Sequence, residues 1–101
     1  KEEAIAMYKK AIEINPNHAN AYNNLGVAYC KMGKEEEAIT MYKKAIEINP
    51  NYADAYNNLG GAYYETGKKE DAAAAFKKAL EINPAQADAR RNLDLINSKP
   101  K

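Results

Sequence analysis

The chain has 101 residues, and 15 Lys and Arg against 14 Asp and Glu leave a net charge of +1, which gives no electrostatic footprint for nucleic acid. No apolar run approaches the roughly 18 residues of a membrane-spanning helix, and no signal-peptide pattern is present. Cys30 is the sole cysteine, so no intrachain disulfide can form, and a reducing, cytoplasmic compartment is the expectation.

In chain order, residues 2–15 read as a first helix with Ile5, Tyr8 and Ile12 retained as apolar positions. From Ala19 to Met32, the residues Ala21, Tyr22, Leu25, Ala28 and Tyr29 follow the three-and-four spacing of one helix face. Gly33 then supplies a residue that tolerates a left-handed C-cap. Glu35-Glu36-Glu37 opens the next helix, where negative charge suits the positive end of the helix dipole. Ala38, Ile39, Tyr42, Ala45 and Ile46 form its buried stripe, and Asn49-Pro50 ends it, because proline lacks an amide hydrogen and disfavours helix in the residue before it. The same logic predicts helices over Asp54 to Thr66 and Lys69 to Ile82, with Gly67 between them, and a last helix over 86–98. Val, Ile and Thr never alternate with polar residues over a useful length, so no strand is expected.

These elements are periodic. Asn23-Asn24-Leu25-Gly26 recurs as Asn57-Asn58-Leu59-Gly60, and the offset from Asn23 to Asn57 defines the period; a remnant follows at Asn92-Leu93. The segment from Tyr8 to Pro16 returns as Tyr42 to Pro50 and again as Phe76 to Pro84. Such a period marks an array of supersecondary units, each too small to close a core alone. A helix ending in a short Gly turn folds back on its neighbour, so each period is an antiparallel hairpin. Gly26, Ala38, Gly60 and Ala72 would let the two helices approach closely, and close packing is the expectation for the Gly60-Gly61 pair as a whole. Lys1 falls in the middle of a period, so the sequence is expected to be a piece of a longer protein.

With those residues placed, the chain resembles the tetratricopeptide (TPR) family, whose repeat of about 34 residues follows the pattern W-x2-L-G-x2-Y, then A-x3-F, then P. Tyr22, Leu25, Gly26, Tyr29, Ala38, Tyr42, Ala45 and Pro50 match it, as do Tyr56, Leu59, Gly60, Tyr63, Ala72, Phe76, Ala79 and Pro84. Tyr stands at the family's common Trp position. The resemblance implies an all-α, right-handed superhelical solenoid of antiparallel hairpins forming one domain over 1–101. Its divisions would be the second helix of a partial repeat (1–17), full repeats at 19–52 and 53–86, and a C-terminal capping helix (87–101). It also implies a protein-binding scaffold whose groove is lined by the first helix of each hairpin.

From the helical phase, that groove is expected to present Asn20, Asn23, Asn24, Val27, Cys30 and Lys31, then Asp54, Asn57, Asn58, Gly61, Tyr64 and Glu65. The last helix would add Asp88, Arg91, Asn92 and Leu95. The carboxylate clamp of chaperone-binding members is not reproduced. Asn23 and Val27 stand where the clamp has Lys and Asn, Asn58 matches, and Asp88 and Asn92 replace its other Lys and Arg. An asparagine ladder, as in other members, fits better. Asn24, Asn58 and Asn92 follow one another at intervals of one period, and an amide can pair with any peptide unit.

No glycine-rich phosphate loop or catalytic constellation can be assembled, and one His with one Cys cannot build a structural zinc site, so neither enzyme activity, cofactor nor metal is expected. The Lys pairs at 9–10, 43–44 and 77–78 fall on second helices beside Glu13, Glu47 and Glu81 and read as a solvated face. A protein or peptide is therefore the expected partner, with no nucleic acid or membrane. The alternative is self-association by repeat stacking through Ile5 and Tyr8 of the first helix. Arg90, Asp94 and Asn97, where Tyr, Gly and Tyr are expected, make the outer face of the last helix polar, as in a solubilising cap.

Overall fold

A computed structural model describes residues 2–97; Lys1 and residues 98–101, where the expected last helix and capping segment extend, lie outside the described residues. Six α-helices follow one another: α1 (Glu2–Ile14), α2 (Ala19–Lys31), α3 (Glu35–Ile48), α4 (Ala53–Glu65), α5 (Lys69–Ile82) and α6 (Ala87–Asn97). Among the described residues there is no strand. The most extensive contacts join α2 to α3 and α4 to α5, each pair being an antiparallel hairpin, and the hairpins stack into a solenoid 46 Å long.

Two local devices repeat along the chain. Within a hairpin the first helix ends in a Schellman motif. Gly33 has φ +77°, its N–H donates to the Cys30 carbonyl, and the Lys34 N–H donates to the Tyr29 carbonyl at 2.9 Å. Gly67, with φ +82°, builds the same closure on Tyr64 and Tyr63. Left-handed backbone of this kind favours glycine, which has no Cβ to clash. Between hairpins, each Asn-Pro makes a β-turn. The amides of His18, Tyr52 and Gln86 donate to the carbonyls of Asn15, Asn49 and Asn83. The Asn side chains close a second ring, their Oδ1 atoms accepting from the amides of Asn17, Asn51 and Ala85 at 3.1–3.2 Å.

The two helices of a hairpin meet where the first one has no side chain. A Cβ built on Gly26 would lie 2.5 Å from the Tyr42 ring, and one on Gly60 would lie 2.6 Å from the Phe76 ring. Tyr42 and Phe76 are the largest fully buried side chains, and Ala38, Ala45, Ala72 and Ala79 beside them have no exposure. One buried cluster joins Ile39 and Tyr42 of α3 to Leu59 and Ala62 of α4. A second joins Ala72, Phe76 and Ala79 to Ala89, with Tyr63, Leu93 and Ile96 packed against it. Thus α6 covers the end of the second hairpin with its apolar face, while Arg90, Asp94 and Asn97 are exposed.

Gly61 departs from the expectation of close packing. It sits in the middle of α4, yet a Cβ added there would meet nothing within 4 Å. At the other end, α1 has no fully buried residue. Ile5 and Tyr8 are half-covered by the stack, and the exposed large hydrophobic side chains of α1 are Met7 and Ile14.

Adjacent glycines should therefore respond oppositely to alanine. Gly60→Ala forces its methyl into the Phe76 ring and is expected to cost about 1–3 kcal/mol. Gly61→Ala improves helix propensity in open space and should stabilise by about 0.5–1 kcal/mol. Urea unfolding monitored by circular dichroism measures both. Removing residues 86–101 uncovers Phe76 and Tyr63 and should lower the Tm markedly; an unchanged melting curve would show that α6 is not a cap.

Candidate peptide-binding groove

Three hollows lie along α2, α4 and α6, and shared walls join them. The first, about 290 Å³, is bounded by Ala4 and Tyr8 of α1 and by Asn24, Val27, Ala28 and Lys31 of α2. Val27 and Lys31 also border the second, about 540 Å³, with Cys30, Glu35, Asn57, Asn58, Gly61 and Glu65. Gly61, Glu65 and Asn92 carry the surface into the third, about 330 Å³, with Tyr64, Phe76 and Leu95. Tyr42 and Phe76, whose rings lie on Gly26 and Gly60, also line the second and third hollows.

Eleven of the sixteen residues expected at the groove meet there: Asn24, Val27, Cys30, Lys31, Asn57, Asn58, Gly61, Tyr64, Glu65, Asn92 and Leu95. The other five have different surroundings. Asn23 does not present its side chain at the groove surface as expected: it is 7% exposed, and its Oδ1 accepts from Asn58 Nδ2 at 3.0 Å. That side chain is used inside the stack to join α2 to α4. Asn20 accepts a hydrogen bond from the Tyr52 hydroxyl, and Asp54 accepts from Gln86 Nε2 at 2.8 Å. These equivalent bonds tie the start of each first helix to the turn that leads into the next. Arg91 is exposed and pairs with Asp88 on its own helix at 3.3 Å.

The three asparagines spaced by one period are not equivalent either. Asn24 is exposed, Asn58 is half-buried with an amide hydrogen committed to Asn23, and Asn92 is half-buried on the wall shared by two hollows. The counterpart of the Asn58–Asn23 bond would run from Asn92 to Asn57, yet Asn57 Oδ1 is buried without a hydrogen-bond partner. Asn92 thus faces the hollow without closing that bond. Glu35 belongs to the groove as well. It reads in sequence as a partner for the dipole of α3, and the tight Gly33 turn returns the chain so that it borders the same hollow as Lys31.

Half-buried Cys30 and buried Tyr42 form a polar pair on the wall of the second hollow, Sγ and hydroxyl 3.7 Å apart. Burial pushes the Cys30 thiol above its ordinary value, against the opposing effect of the Tyr42 hydrogen bond. Burial, then the contact with Cys30, pushes Tyr42 far above the ordinary tyrosine range. A thiol held protonated is a poor nucleophile. Among the described residues no group of three or more His, Cys, Asp or Glu could hold a metal ion, and no helix is long and apolar enough to cross a membrane.

A tetratricopeptide repeat family model matches residues 19–85, and a TPR repeat model matches residues 2–33. Among solved structures, the first TPR domain of Spaghetti (RPAP3), bound to the HSP90 peptide SRMEEVD, superposes with a TM-score of 0.93. It is 28% identical over 96% of this chain and 77% of that one. MamA superposes with a TM-score of 0.88 and 32% identity over 93% of this chain; the chain spans 55% of MamA. No curated protein sequence matches the chain significantly.

The Cys30–Tyr42 pair sets a pH dependence. Groups whose folded-state values are raised keep their protons longer when folded, so their stabilisation is complete below the unfolded values and is lost as pH climbs through the folded ones. With an ordinary thiol value of 9.0 and tyrosine value of 10.0, the Tm should decline above about pH 9. Tyr42→Phe, which removes one ionisable group of the pair, should decline less steeply between pH 9 and 11, as calorimetry across that range would record.

Proposed function

The chain belongs to the tetratricopeptide repeat family, and from that membership we propose that it is a protein-interaction scaffold that holds an extended peptide in the groove across α2, α4 and α6. The observation that carries this reading is the continuity of the three hollows, which share Val27 and Lys31 at one junction and Gly61, Glu65 and Asn92 at the other. Amides border all three, Asn24 in the first, Asn57 and Asn58 in the second and Asn92 in the third. Amides pair with a peptide backbone of any sequence, so they supply affinity with little discrimination.

Helices packed about 8–10 Å apart and a strand advancing about 3.3–3.6 Å per residue put one amide opposite about every third peptide residue. Three helices would hold a segment of about 6–9 residues, with affinity on the order of micromolar or weaker. Selectivity then falls to Lys31, Glu35, Tyr64 and Glu65, while Asn20, Asp54 and Arg91 stand at the periphery with their partners. The HSP90 peptide bound by the Spaghetti domain is acidic toward its end. Here Asn23 is buried, and Glu35 and Glu65 lie in the groove, so the proposed ligand is not an acidic tail. Binding requires no catalysis, and a reducing cytoplasm suits the lone Cys30. Self-association through α1 is the second reading. The exposed Met7 and Ile14 favour it more than Ile5 and Tyr8, which the stack half-covers.

A peptide bound on an array should lose about tenfold or more in affinity with Asn24→Ala and Asn92→Ala combined, at about 1 kcal/mol per lost hydrogen bond, and the Tm should not change. Lys44→Ala with Lys77→Ala, on second helices, should leave the affinity as it was. The opposite pattern, measured by fluorescence anisotropy, would place binding on the outer face.

A further inference from the structure

Gly61 has neither of the justifications that the other glycines of this chain have. Gly26 and Gly60 are pressed by aromatic rings, and Gly33 and Gly67 have left-handed backbone. Gly61 is in mid-helix with open space where its side chain would be. Glycine there costs helix stability for no gain in packing.

The equivalent positions one period away on either side hold Val27 and Leu95, so an aliphatic row along the groove has a gap at its centre. The gap is bordered by apolar surface left in solvent, Tyr64 at 43% and Leu95 at 62% exposure, with the buried Phe76 also on the wall. Glu65 is the one charged residue bordering that hollow, and it takes part in none of the ion pairs found among the described residues. An apolar recess rimmed by a carboxylate without a salt bridge is complementary to an apolar side chain followed or preceded by a cation.

We propose that the Gly61 gap is the specificity subsite of the groove, seating one aliphatic or aromatic side chain of a bound peptide, with an adjacent Lys or Arg of that peptide paired to Glu65. The proposal rests on the groove reading and adds the class of peptide. The bound side chain completes the row that Val27 and Leu95 leave open and buries the exposed faces of Tyr64 and Leu95. Asn92, on the same wall, is placed to hold the peptide backbone beside it.

The test uses an array of nine-residue peptides on a Ser and Ala background, with the central residue varied among Leu, Phe, Ser and Asp and its neighbour among Lys, Ala and Glu. Affinities are then measured by fluorescence anisotropy on the whole 101-residue chain. The wild type should prefer Leu or Phe beside Lys by about tenfold or more over Ser beside Ala, the range that one buried apolar group provides. Gly61→Leu, which fills the gap with the residue found at Leu95, should keep or raise the Tm while abolishing the preference at the central residue. Glu65→Lys should reverse the neighbour preference from Lys to Glu. Peptides that bind without a preference sensitive to Gly61→Leu overturn the subsite and leave the groove reading standing. An unchanged neighbour preference in Glu65→Lys overturns the assignment of the cation. Failure of every peptide on the array to bind the wild type overturns both readings.

Discussion

Everything else in this molecule depends on an aromatic ring lying on bare helix backbone. Tyr42 on Gly26 and Phe76 on Gly60 set how closely the two helices of each hairpin approach, and the alanines of α3 and α5 on either side are fully buried because of that approach. Such contacts combine removal of apolar area from water with dense dispersion packing, and neither tolerates an added methyl. The same rings also fix the depth of the groove. Both residues line its hollows, so the spacing that stabilises the hairpin also limits the room within them.

The polar residues of the first helices divide between holding the stack and facing the groove. Asn20, Asp54 and Asn23 are occupied with neighbouring elements, whereas Asn24 and Asn92 are turned outward. The asymmetry between Asn58, which is bonded to Asn23, and Asn92, which leaves Asn57 Oδ1 without a partner, makes the α4–α6 side of the groove less self-satisfied than the α2–α4 side. A buried carbonyl without a donor costs free energy that the first junction does not incur. The Gly61 gap and the exposed Tyr64 and Leu95 lie at this same side.

The architecture was legible because its signals are local. Gly33 and Gly67 report left-handed caps, and Asn49-Pro50 reports a turn, through the conformations those residues permit by themselves. Apolar spacing at three and four residues then gives the helices from α2 onward their buried faces, and the helix limits among the described residues lie within a residue or two of those expected. The groove was legible in part. Asn23 and Asn24 differ by about 100° around a helix, and that rotation separates a buried interhelical bond from an exposed amide. Sequence phase alone does not show which polar side chain a neighbouring helix will engage. Gly60 and Gly61 are likewise identical as letters, and only the position of Phe76 tells a packing glycine from an empty one. Glu35 and the exposure of Met7 and Ile14 in place of Ile5 and Tyr8 depended in the same way on where the next helix lies.

The paired bonds at the helix starts have a consequence for how such a chain can lengthen. Asn20 to Tyr52 and Asp54 to Gln86 span the same number of residues and join equivalent points of successive units, so each junction carries its own fastening. A duplicated segment of one whole period, the offset from Asn20 to Asp54, would arrive with donor, acceptor, ring and glycine already in register and would leave existing junctions intact. A segment one residue longer or shorter would turn the following helix by about 100° and misalign every fastening beyond it. Lengthening of the array in register is therefore quantised in whole periods, the length that the fastening requires.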